Sequence, residues 1–229
     1  MTYRRALIVG AGPGFSASLA RRFARAGIAV ALAARQPAKL AALCAEIGAT
    51  AHACDAADPA QVAALFAALE AGGAPDLVVY NASGRVRGPI AELDPQDVQR
   101  ALQVSAYGAF LVAQQAARRM LPARHGAIVL TGATAGVKGF ALSAPFAMGK
   151  FALRGLAQSL ARELAPQGIH VVHVVIDGGI RAAHRPDPQD SPDSTLDPDA
   201  IAESTWHTLT QHRSAWSWEI EVRPWVERF

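Results

Sequence analysis

Short runs of Val, Ile and Leu, separated by longer segments of helical period, limit what this chain can fold into more than any other feature. Compact apolar runs of this kind read as parallel strands buried on both faces, and the segments between them as crossover helices. The runs are Ala6–Val9, Ala29–Ala33, Thr50–Cys54, Leu77–Tyr80, Ala127–Thr131, His170–Ile176 and Glu219–Val222. Asp58-Pro59, Asp94-Pro95 and Asp197-Pro198 each put an N-cap carboxylate before a proline at the first helical position. Val62, Leu65, Phe66 and Leu69 repeat at the spacing of one helix face, as do Leu153, Leu156, Leu160 and Leu164. The expectation is one α/β domain over 1–229, a doubly wound Rossmann-like parallel sheet of about seven strands with helices on both faces.

Composition agrees with a single unstapled core: 229 residues, 51% hydrophobic, with two cysteines. Cys44 and Cys54 read as packed, reduced thiols. The net charge of +3 comes from basic residues scattered in ones and twos, which does not make a nucleic-acid stripe. No apolar run reaches the length of a membrane span and no signal-peptide pattern is present, so a cytoplasmic protein is expected. His170 and His173 stand at odd spacing in a strand and face opposite sides, so no metal site is expected there. Residues 181–196, RAAHRPDPQDSPDSTL, break the pattern with three prolines and read as a polar lid or a surface loop.

The first strand runs into Gly10-Ala11-Gly12-Pro13-Gly14-Phe15-Ser16 and then a helix. Such a turn lets the backbone approach a pyrophosphate while the helix N-terminus presents N–H groups to it. The spacing is G-x-x-x-G-x-G with Ser16 in the last place. Strand two ends in Ala34-Arg35, where a guanidinium suits a 2′-phosphate and an acidic residue would repel one. This favours NADP(H) over NAD(H), although Arg35 also reads as a solvated cation. Asp55, with Ala56 beside it, follows strand three and is placed to accept from an adenine amino group. Asn81-Ala82-Ser83 follows strand four, beside the adenosine ribose.

Together with GAIVLTGATAG, Phe146-Ala147-Met148-Gly149-Lys150 and GLAQSLARELAPQGIHVVHVVIDGGI, these features resemble the short-chain dehydrogenase/reductase family from Ala6 to Val222. The resemblance implies a nicotinamide cofactor, a small-molecule substrate and a homodimer or homotetramer. It places the cofactor against Gly10, Gly14, Phe15, Ser16 and Lys150, with Asp177 at the glycine position after strand six. The family's Tyr-x-x-x-Lys falls on Phe146 and Lys150, its serine on Ala133, thirteen positions earlier, and its helical asparagine on Ser105. An atypical subgroup with Phe for Tyr is similar.

The tyrosine is the family's proton donor and the serine its contact to a carbonyl oxygen, so both functions are missing at those positions. Thr134, Ser143 and His184 are polar groups that could stand in, although Thr134 and Ser143 also read as local caps or turn formers and His184 as a solvated loop histidine. Asp177 reads first as an Asx turn into Gly178-Gly179. Arg85 and Arg87 read as common loop arginines or as partners for an anionic substrate. Two functions remain: an NADPH-dependent oxidoreductase acting on an imine, an activated alkene or a carbonyl, or an NADP(H)-binding sensor or partner subunit. Ala147, Ala152 and Gly155 make a small-residue face expected to pack on a symmetry mate.

Overall fold

A computed structural model describes residues 2–182 and 185–227. Seven parallel strands form one sheet: β1 (Arg5–Val9), β2 (Ala29–Ala34), β3 (Thr50–Ala53), β4 (Leu77–Tyr80), β5 (Gly126–Thr131), β6 (Ile169–Ile176) and β7 (Glu219–Val222), in the order β3-β2-β1-β4-β5-β6-β7. The strands lie where the apolar runs do, with edges shifted by a residue because main-chain pairing sets a strand's end. Arg5, for instance, is exposed yet pairs with Ala29. Cys54 falls just outside β3, though its N–H still donates to Ala34 O at 3.1 Å.

Helices α1 (Phe15–Arg25), α2 (Ala41–Ile47), α3 (Pro59–Glu70), α4 (Pro95–Leu102), α5 (Gly108–Met120), α6 (Ala144–Leu164) and α7 (Pro198–Leu209) cover the two faces. Apolar residues of α1, α2 and α7 pack with Ile8, Val79, Val129 and Val174 on one side. Those of α3, α5 and α6 pack with Leu7, Val78, Ile128 and Val171 on the other. Burial on both sides explains why the strands read as continuous apolar runs rather than alternating ones. Val62, Leu65 and Phe66 are buried and Leu69 packs against them; Leu153 and Leu164 are buried, with Leu156 and Leu160 at the margin of the same core.

All three Asp-Pro starts are helix caps. Asp58 Oδ1 accepts from Ala60 N at 2.8 Å and Gln61 N at 3.2 Å, Asp94 accepts from Gln96 N, and Asp197 from Asp199 N. Between α4 and α5 the chain makes one π-helical turn over Gln103–Tyr107, which carries Ser105. No helix among the described residues is long and apolar enough to cross a membrane. Replacing Asp58 with Ala orphans two N–H groups, and denaturant titration should show a loss of about 1 kcal/mol.

Candidate active site

β1 and β4 are neighbours, but their outgoing connections run to opposite sides of the sheet, and this opens a crevice at the strands' carboxyl ends. A cavity of about 620 Å³ lies there, lined by Gly10, Ala11, Arg35, Asp55, Ala56, Asn81 and Ala82 among others. The glycine loop closes on itself: Gly12 N donates to Ser16 Oγ at 2.8 Å, and that hydroxyl donates to Gly12 O at 3.1 Å. Gly10 has φ +82°, and a Cβ there would lie 2.3 Å from Ala82 N, so only glycine fits. Asn81 Nδ2 donates to Gly10 O at 3.2 Å, tying the end of β4 to the loop. A Cβ on Gly12 or Gly14 would meet open space, and Gly14 caps α1, whose first residue, Phe15, is buried. The loop thus leaves room for a ligand against a helix N-terminus, as a dinucleotide requires.

Asp55 Oδ1 accepts from Ala57 N at 3.0 Å, so it shapes its own turn while lining the cavity. Arg35 is exposed at the cavity wall, and among the described residues no carboxylate lies within 4.0 Å of it.

Two further cavities continue past β5 and β6. One, of about 350 Å³, is lined by Gly14, Phe15, Asn81, Arg85, Gly132, Ala133, Phe146, Lys150, Arg181 and Arg185 among others. The other, of about 250 Å³, shares Arg85, Ala133, Phe146, Ile176 and Gly178 with it and adds Arg87, Thr134, Phe140 and Ser143. Lys150 is buried, and its ammonium donates to Thr131 O at 2.7 Å. Burial, and secondarily the charge of Arg85, lower its pKa to about 8. Phe146 stands one helical turn before it, its ring centroid 5.8 Å from Lys150 Nζ, and the Arg85 guanidinium lies 4.4 Å over the same ring. Ser105 Oγ accepts from Gly84 N at 2.9 Å, so this hydroxyl is spent on the loop after β4.

Several expectations change. Ser143 occupies the N-cap position of α6, but its hydroxyl makes no capping bond: φ −129° and ψ 22° hold the backbone off the extended geometry of a side-chain cap, and the residue lines the smaller cavity instead. Thr134 makes no side-chain cap but does form a turn, its carbonyl accepting from Val137 N and Lys138 N. Asp177 lines none of these three cavities. Its carboxylate lies 3.5 Å from Arg223 Nη2, and its N–H donates to Val222 O, so it extends the β6–β7 pairing rather than turning into Gly178. His184 lies outside the described residues. The polar 181–196 segment is tied down at its ends: Arg181 pairs with Asp187 and Asp197, Asp187 also accepts from Thr195, and Leu196 bridges to Ile180 and is buried in the core.

One group behind the site is invisible in sequence spacing. His173 is fully buried, and its Nδ1 lies 2.9 Å from Glu219 Oε2, while Arg154 grips both oxygens of Glu219 at 2.7 Å. Burial lowers the His173 pKa against the opposing pull of Glu219. Burial alone would raise that of Glu219, but hydrogen bonds from Arg154 and His173 hold it below the ordinary range. The His173 Nε2 has no partner among the described residues and would lie 2.5 Å from a Cβ on Gly132. His170, by contrast, stacks on Trp216 and reaches Ser217 O; the register sets it beside Ala127, and His173 beside Leu130, which face opposite sides.

Residues 4–188 match the family model for short chain dehydrogenases, and the chain belongs to that family. It is 32% identical over 169 residues to the mitochondrial borneol dehydrogenase of Lavandula x intermedia, an alignment covering 72% of this chain and 65% of that enzyme. The chain thus spans just under two thirds of that relative's length. A short-chain dehydrogenase from Rhodopseudomonas palustris shares the fold with a TM-score of 0.85 at 34% identity, covering 97% of this chain and 99% of that one. A metagenomic short-chain oxidoreductase in complex with NADP has a TM-score of 0.84 at 30% identity, covering 96% and 97%.

Gly132→Ala should destabilise the fold by about 1–3 kcal/mol through clashes with His173 and the Val174 carbonyl, of which His173→Ser relieves only the first. In a denaturant double-mutant cycle with His173→Ser, the pair should cost less than the sum of the single changes.

Proposed function

We propose that the chain is an NADP(H)-dependent oxidoreductase of the short-chain dehydrogenase type, working without the family's tyrosine and serine. The observation that carries this reading is the continuity of the cavities: the crevice walled by the glycine loop and Arg35 runs on to the one lined by Lys150. When bound, the cofactor supplies a hydride. Gly10, Gly14, Phe15, Ser16, Asp55, Ala56, Asn81 and Ala82 form its cradle, Arg35 takes the 2′-phosphate, and Lys150 holds the nicotinamide ribose. Asp177 supports the end of β6 from behind through Arg223. The NADP complex of a 30% identical relative supports the cofactor class.

Phe146 and Ala133 carry no proton to donate and no hydrogen bond for a carbonyl oxygen. An iminium acceptor needs no proton delivered to the atom beside the hydride, and an activated alkene takes its proton from water or from a hydroxyl at hand. Thr134 and Ser143, which line the smaller cavity, are the hydroxyls at hand. The same lack of a donor favours a second reading, a cofactor-binding sensor or partner subunit with little turnover. The 181–196 segment acts as the substrate lid, and the protein is cytoplasmic. Association runs through α6, where Ala152 and Gly155 are exposed beside Met148 and Phe151; sedimentation should give a dimer or tetramer, and a monomer would contradict this.

NADPH should raise the melting temperature more than NADH does, and Arg35→Asp should abolish or reverse that preference; equal shifts count against the assignment. NADPH affinity should fall as pH rises through about 8 and the Lys150 ammonium loses its proton, and Lys150→Met should remove this alkaline fall. Phe146→Tyr with Ala133→Ser should raise ketone reduction above wild type. Wild-type turnover of imines or enones supports the enzyme, and silence across that panel despite tight NADPH binding supports the sensor.

A further inference from the structure

Beyond the cofactor crevice, the smaller cavity has a charge arrangement that the assigned roles leave unexplained. Arg85 and Arg87 both line it, and Arg185 lines the adjoining one. Among the described residues no Asp or Glu lines either cavity, and no carboxylate lies within 4.0 Å of these three guanidinium groups. Arg181 differs, since Asp187 and Asp197 neutralise it. Arg85 is crowded enough that partial burial, and then the charges of Arg185 and Arg87, lower its pKa. Like charges gathered without a counter-charge repel one another, and an arriving anion removes that cost.

Apart from Thr134 and Ser143, the side chains that complete the lining are apolar: Phe140, Phe146, Ile176, Ala133 and Ala135. The Arg85 guanidinium lies over the Phe146 ring, 4.4 Å from its centroid, which holds it at the cavity wall. Cofactor phosphates do not account for the whole cluster, because Arg87 lines only the smaller cavity and not the crevice of the glycine loop. With a volume of about 250 Å³, that cavity suits a small molecule.

We propose that the substrate is a small carboxylate-bearing molecule with an apolar body, its carboxylate held by Arg85 and Arg87 and its body lying against Phe140 and Phe146. This rests on the reading of the adjoining cavities as a cofactor site and a substrate site. A planar carboxylate accepts paired N–H donors from a guanidinium, which sets orientation as well as affinity.

The test is calorimetric titration of the full chain, saturated with NADP⁺, with benzoate, phenylacetate and cinnamate, their neutral amides, and phenyl phosphate. At least one carboxylate should bind about tenfold or more tightly than its amide. Arg85→Gln and Arg87→Gln should each remove most of that difference, and added salt should weaken the carboxylate alone. Both arginines stand outside the strands and helices, and a melting curve on each variant checks that the fold is kept. Amides binding as well as acids, no binding by any acid, or a difference that survives both substitutions would overturn the proposal. Tighter binding of phenyl phosphate than of every carboxylate overturns the carboxylate assignment. A separate titration with NADPH keeps the two readings apart: if NADPH binds and the acids fail, only the substrate class falls, and if NADPH does not bind, the cofactor reading falls and takes this one with it.

Discussion

The site depends on one topological constraint, the parallel pairing of β1 with β2 on one side and β4 on the other. Because the chain winds outward in both directions from this pair, the loops leaving β1 and β4 diverge and leave a crevice between them. Gly10 and Ala82 hold its floor together by a contact so close that no side chain fits at position 10, and Asn81 bonds across the same gap. Everything proposed for the cofactor follows from that gap. The second cavity follows from the next pair of strands, where Lys150 reaches from α6 to the carbonyl at the end of β5.

A buried ammonium held by one carbonyl is costly, and its lowered pKa expresses that cost. The surroundings add to the burden, since Arg85 is a second cation on the same aromatic ring. A phenylalanine there offers a quadrupole face to both charges but no hydroxyl to relay a proton. Cationic groups are thus gathered at a position where the aromatic ring itself carries no proton to give.

Much of this was legible before any coordinates. Strand positions followed from apolar runs because a parallel sheet covered on both faces tolerates few polar side chains. The three Asp-Pro pairs marked helix starts because the capping bond is local and needs only residues two or three apart. Where local rules competed with tertiary contacts, local rules lost. Ser143 sits where a cap belongs but has the wrong backbone angles, and Asp177 turns to Arg223 from a neighbouring chain segment rather than to its own turn. The 181–196 stretch reads as a polar lid or a surface loop, yet Leu196 at its end is buried in the core.

What the sequence determined by itself is the alternation of strands and helices, the glycine loop with Arg35 at the end of the second strand, and the pairing of Phe146 with Lys150 one helical turn apart. These are properties of short stretches, and spacing along the chain reports them. Only the tertiary structure decided that Arg85, Arg87 and Arg185, up to 100 positions apart, line two adjoining cavities whose described lining holds no Asp or Glu. It also decided that His173, Glu219 and Arg154 form a buried group behind Gly132. Such groupings depend on which strands are neighbours and in what register, and pairing between distant segments leaves no periodic trace in a single sequence.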